Sequence, residues 1–170
     1  AADQVTGVSD QMFVAMKAGK TTIGELSESL SFIAPIAAQV GIQMDEVLAA
    51  TAALTKAGVP TNRAMRGLAQ TMALVVKPSS EAAKMAQELE LDFSAAALEA
   101  KGLSGFLESV SVATGGSAEK MAMLFGGVEA LIPVLSLTGT QTQDFVTILE
   151  DMQDRLGETE EAAAKMADTQ

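Results

Sequence analysis

The chain has 170 residues, a formal net charge of -11, and no Cys, His, Trp or Tyr. That inventory removes disulfides, thiolate nucleophiles, the commonest general base and the commonest metal ligands, and the charge opposes direct binding of nucleic acid. At this length a folded chain buries roughly 70% of the surface that its unfolded form exposes, so one real core is expected, built largely from Ala-rich helices.

A first helix is expected from about Asp3 to Ala18. Gly19, Lys20 and Thr21 then resemble the end of a phosphate-binding loop, but that motif needs a glycine where Val14 stands and a strand before it, so the triplet reads as a helix connector. Thr22 precedes Glu25 by three residues, a capping box that starts a helix over Ile23 to Val40 with Ile23, Leu26, Leu30 and Ile33 as its apolar stripe. Gly41 supplies the left-handed stop. A second helix from Met44 to Ala57, with Met44, Val47, Leu48 and Leu54 facing inward, must fold back on the first because the connection is short.

Gly58, Val59 and Pro60 end that helix, and Thr61 is placed to cap the next, Asn62 to Lys77, whose inner face reads Met65, Leu68, Met72 and Val75. Pro78 forbids continuation, and Ser79 restarts the chain as a helix over Ser80 to Leu89. Further helices are expected over Leu103 to Ala113, Ala118 to Phe125 with Ser117 as cap, Val128 to Leu137, and from Thr142 onward. Pro35 and Pro133 fall inside helical patterns, and each removes a backbone bond, so a kink or a restart is expected at both. No sustained alternation of apolar and polar residues suggests a strand. The fold class that follows is all-α: a compact irregular bundle of short helices and helical hairpins without a substantial β-sheet. Residues 1–170 read as a single domain, with a candidate seam between lobes near 77–80 and a second at Glu90 to Ser94.

The chain starts Ala1-Ala2 without an initiator Met, and Glu158 to Gln170 still read as helix, so an excerpt of a longer polypeptide is expected. A membrane span is not expected. The longest charge-free stretch, Ser29 to Met44, falls short of the usual ~20 residues and contains Ser, Gln, Pro and Gly.

Acidic residues gather late, at Asp144, Glu150, Asp151, Asp154, Glu158, Glu160 and Glu161 against Arg155 and Lys165. The spacing of Asp151, Asp154 and Gly157 does not build a calcium loop, so the cluster reads as a solvated helix face. No catalytic, cofactor or metal residue is assigned, and an enzyme is not expected. Lys56, Arg63, Arg66 and Lys77 form the one local basic concentration and are the candidate contact for an acidic partner; pairing with Glu46 or Glu81 is the plainer reading. Phe13, Phe32, Phe106, Phe125 and Phe145 are expected in the core, with Phe93 in a linker the least settled.

The ordered blocks Gly19-Lys20-Thr21-Thr22, Ala34-Pro35, Lys77-Pro78-Ser79, Leu124-Phe125-Gly126 and Leu137-Thr138-Gly139, with glycines between helices, resemble the core region of phage tail tape measure proteins over nearly the whole chain. Gln43, where that family commonly has a Ser or Thr cap, and the lack of an acidic neighbour for Arg63 depart from the pattern. The resemblance implies a virion structural protein that lies in the tail tube lumen, templates tube assembly, sets tail length and leaves ahead of the DNA. It implies work with the tail tube protein, tail assembly chaperones and tail tip proteins, a homo-oligomeric state, assembly in the host bacterial cytoplasm, and no sequence-specific nucleic acid binding. A reading from another class is a general α-helical scaffold or chaperone-binding module.

Overall fold

Short-range capping chemistry sets most helix boundaries. The computed structural model describes the backbone of residues 2–168 and the side chains of 7–155 and 164–168. Among the described residues there is no strand, and nine helical spans follow in order: α1 (Ala2–Ala18), α2 (Ile23–Gln39), α3 (Met44–Lys56), α4 (Thr61–Val76), α5 (Ser80–Glu88), α6 (Ala95–Thr114), α7 (Ala118–Phe125), α8 (Val128–Thr138) and α9 (Thr142–Asp168). They form the expected all-α bundle.

The capping box at α2 is complete: the Glu25 N–H donates to Thr22 Oγ1 at 3.2 Å, and the Thr22 N–H donates to Glu25 Oε2 at 3.1 Å. Gly41 ends α2 at φ 68°, which lets the Ile42 N–H reach back to the Ala37 carbonyl at 2.9 Å. Ser79 and Ser117 accept from the Ala82 and Lys120 amides and start α5 and α7 where their sequences place them.

Three boundaries differ from expectation. Thr61 does not cap α4; Pro60 holds that position and Thr61 is the first helical residue. Its buried hydroxyl instead meets Thr21 Oγ1 at 2.7 Å, which ties the start of α4 to the start of α2. Neither Pro35 nor Pro133 restarts its helix. The helical interruption lies in α6, which begins at Ala95 under a Ser94 cap and breaks at Gly102, where φ is 72° and ψ 173°. The sequence reading starts this helix at Leu103 and gives 95–102 no element, because the Ala-rich turn there is too short for a periodic apolar stripe to stand out.

α3 occupies the centre. Of its expected inner face Val47, Leu48 and Leu54 are buried and Met44 is half-buried, but every residue from Val47 to Thr55 is buried, so the helix is enclosed all round. Alanines at 49, 50, 52 and 53 keep it thin, and α1, α2, α4, α6, α8 and α9 all touch it. α4 lies between α2 and α8 and buries Met65, Leu68, Met72 and Val75 as expected. In α2 the buried line is Leu26, Ser29, Ile33 and Ala37, while Ile23 is exposed and Leu30 half-buried. Phe93 is a core residue: its ring lies 5.8 Å from that of Phe106 and 5.3 Å from that of Phe125, which joins the loop before α6 to α6 and α7. Phe106, Phe125 and Phe145 are buried as expected, but Phe13 (50% exposed) and Phe32 (39% exposed) lie at the surface. Helical periodicity places both on an apolar stripe; the direction from which neighbouring helices approach leaves them outside.

Candidate functional site

The outer face of α4 carries the most distinctive surface chemistry. Buried residues of this helix recur at Ala64, Leu68, Thr71 and Val75, which turns Arg63, Arg66 and Gln70 outward, with Lys77 about two turns beyond Gln70 at the end of the helix. These positions fall in one stripe by helical spacing. α4 contains no acidic residue, in a chain of net charge -11. Among the described residues neither arginine nor Lys77 has a carboxylate within ion-pair distance, so the expected pairing with Glu46 or Glu81 is not formed. Arg66 instead stands over the exposed ring of Phe32 on α2, with its guanidinium 5.8 Å from the ring centroid. Beside it runs an open cleft of about 450 Å³ lined by Phe32, Ile36, Arg66, Ala69, Ala73 and Glu129 among others. The cleft therefore has an apolar floor with one cation, Arg66, and one acid, Glu129, in its lining.

Lys56 does not join this face. Its Nζ donates to Asp144 Oδ1 at 2.8 Å, and the pair fastens the end of α3 to the first turn of α9.

Glu46 has a different partner from the one its sequence suggests. Its Oε1 accepts from the Leu103 N–H at 3.0 Å and the Ser104 N–H at 3.5 Å, the free amides at the start of the second half of α6. Burial pushes its carboxyl above the ordinary glutamate value; the Ser104 amide opposes the shift, the neighbouring Asp45 charge adds to it, and the Leu103 amide opposes it. Only glycine fits at the break. A Cβ on Gly102 would lie 2.7 Å from Glu46 Oε1. This capping link was missed because it joins residues far apart in sequence.

The loop-like triplet is a connector, as read. Gly19 lies directly against Ala52 and Thr55 of α3, and the Lys20 N–H donates to Thr55 Oγ1 at 3.0 Å, so the amides do not form an open cradle. Among the described residues no group of acidic side chains could hold a metal ion, and no helix is long and apolar enough to cross a membrane. The acidic positions Glu158, Glu160 and Glu161 lie outside the described side chains.

The family model for phage-related minor tail proteins matches residues 1–126, which takes in α1 to α7. The chain belongs to this family. It is therefore a phage tail protein, with the virion as its place and other tail proteins as its company. No curated protein and no solved structure matches it.

Proposed function

We propose that the chain is a single folded module of a tail tape measure protein, a structural component that templates the tail tube, sets its length and leaves it ahead of the DNA. The observation that carries this reading is the ordered series of sequence blocks from Gly19 to Gly139, and membership of the minor tail family supports it. The tail tube protein, tail assembly chaperones and tail tip proteins are its partners, several copies act together, and Arg63, Arg66 and Lys77 on α4 form a contact surface for an acidic partner. Lys56 contributes indirectly by fixing α9. The role is structural, not enzymatic.

The fold sharpens how the module would serve. A continuous helix of this length would extend about 255 Å, whereas a bundle has a radius of gyration of about 15 Å and a breadth of roughly 40 Å. The module therefore contributes little to measured length per residue and acts at one place along the ruler. Deleting α5, nine residues, is expected to reduce the yield of assembled tails without a matching decrease in tail length. Electron microscopy of the mutant particles decides it: tails of normal yield shortened by about 1.5 Å per deleted residue would show a continuous ruler instead. Mass spectrometry of purified virions tests the assignment itself, which fails if no peptide of this chain is present.

A further inference from the structure

The break in α6 divides one run of helical sequence into two arms that are held differently. The outer arm, Ala95 to Lys101, and the inner arm, Leu103 to Thr114, meet at Gly102 alone, at φ 72° and ψ 173°. Leu103, Phe106, Leu107 and Val110 anchor the inner arm in the core. In an unbroken helix the Leu103 and Ser104 amides would donate to the carbonyls of Glu99 and Ala100, four residues back. Glu46 Oε1 takes both donors instead, at 3.0 and 3.5 Å. The carboxylate thus stands in for the turn that the bend removes, and the same two amides have two alternative sets of acceptors.

The bend folds the outer arm back on the inner one. Phe93, just before the outer arm, packs its ring 5.8 Å from that of Phe106. A straight α6 would put Ala95 about 16 Å along the axis from Phe106, and Phe93 further still. Lys101 Nζ also reaches across the break to Ser109 Oγ at 2.9 Å. Glu99 lies against the turn between α2 and α3, where a Cβ added to Gly41 would be 2.6 Å from its Cγ. Ahead of the arm, α5 packs on α7, and Pro78 separates α5 from α4. Residues 78–101 are therefore a segment joined to the body through a proline at one end and a glycine at the other.

We propose that α6 is a two-state element with Glu46 as its latch: latched, it bends at Gly102 and residues 78–101 lie against the body; released, it runs straight from Ala95 to Thr114, and that segment swings off α7 as a flap tethered at both ends. The straight state restores two backbone bonds and lets Gly102 take helical angles, whereas only the bent state buries Phe93, Ala97 and Leu98. Burial of those side chains makes the bent form the major one in the free chain, and loss of the latch shifts the balance toward the other. The inner arm and α3 stay in place throughout, so the domain opens in part without unfolding. This device goes beyond the tail reading and does not depend on it.

Two variants bias the balance. Glu46→Ala removes the latch. Gly102→Ala favours a helical backbone at the joint by about fivefold and sets a Cβ 2.7 Å from Glu46 Oε1. The chain has no Cys, so spin labels can be attached at Ala96→Cys with Val112→Cys and, in a second chain, at Lys84→Cys with Glu119→Cys, all exposed positions. A straight α6 puts the first pair about 24 Å apart along the axis. Pulsed electron paramagnetic resonance is expected to show a shorter separation in the parent. Each variant should add a narrow population near 24 Å, about fivefold or more above the parent's, while the second pair lengthens in the same fraction of molecules. Helix content by circular dichroism should not fall. Variants that keep only the parent distance overturn the latch, as does a broad spread of distances with loss of helix, which would mean that the outer arm melts instead of realigning. A straight population in which the second pair does not lengthen overturns the flap. If Gly102→Ala does not fold, Glu46→Ala decides alone.

Discussion

Glu46 places a carboxylate at the start of a half-helix far from it in sequence, and the two hydrogen bonds it receives both end on Oε1. A glutamine offers the same oxygen without the charge that burial opposes. Glu46→Ala is therefore expected to lower stability by about 1–2 kcal/mol through loss of the cap. Glu46→Gln should match or exceed the parent at neutral pH. The pH dependence follows from the direction of the shift: the folded chain holds the Glu46 proton more tightly than the unfolded chain. Stability from this group is full below the ordinary glutamate pKa, declines as pH rises toward the raised folded value, and is level beyond it. Urea midpoints measured across that window should show the decline in the parent and lose this contribution in the glutamine variant; identical slopes in the two would remove Glu46 as the cause. None of this is legible in sequence, where Glu46 looks like any first-turn acid. Thr22, Ser79 and Ser117 are legible because a cap acts on residues within one turn of itself. Phe13 and Phe32 were misplaced, and Phe93 left unsettled, for the opposite reason, since burial depends on which helices approach and from where.

Helices α4 and α8 meet at a seam made of small and irregular groups. Pro133 has no N–H, so the Glu129 carbonyl lacks its usual helical donor. That oxygen faces α4 at Gly67, where an added Cβ would lie only 2.6 Å from it and 3.0 Å from Pro133 Cγ. One turn along, Thr71 Oγ1 lies 2.9 Å from the Gly67 carbonyl and 3.3 Å from that of Ala130. The close approach keeps α8 against its neighbour through the proline, which explains why the expected restart is absent. Gly67→Ala should push the two helices apart and reduce stability by about 1–3 kcal/mol, with Leu68 and Val134 losing contact on either side. Thermal melts compared with an exposed Gly127→Ala control would show it, and equal melting points would mean that the seam yields freely. The sequence carried Pro133 as a disruption but not Gly67 as its complement. Likewise, the buried alanines of α3 read as one face of an amphipathic hairpin, because Ala marks close packing without saying from how many sides. The break in α6 was hidden for a related reason: nothing within one turn of Gly102 shows that Glu46, far off in sequence, holds the turn that follows.

At the scale of the molecule, layers differ in how firmly they are held. α3 is enclosed from Val47 to Thr55, whereas the described side chains of α9 past Met152 are all in solvent. Native-state hydrogen exchange should therefore be graded, with amides of outer α9 exchanging first and those of α3 exchanging only when the whole domain opens. This gradient bears on the proposed role. A body roughly 40 Å across must come apart to travel through a tube narrower than itself, while a single helix is only about 10–12 Å wide. Alanine contacts bury little apolar area each, so separating one thin helix from the next forfeits less than it would in a core of large side chains. The outer layers are thus expected to detach in steps around α3, each step opening at a lower free energy than global unfolding. Exchange that proved uniformly slow and fully cooperative from α1 to α9 would contradict stepwise opening and require the module to unfold all at once before it could pass.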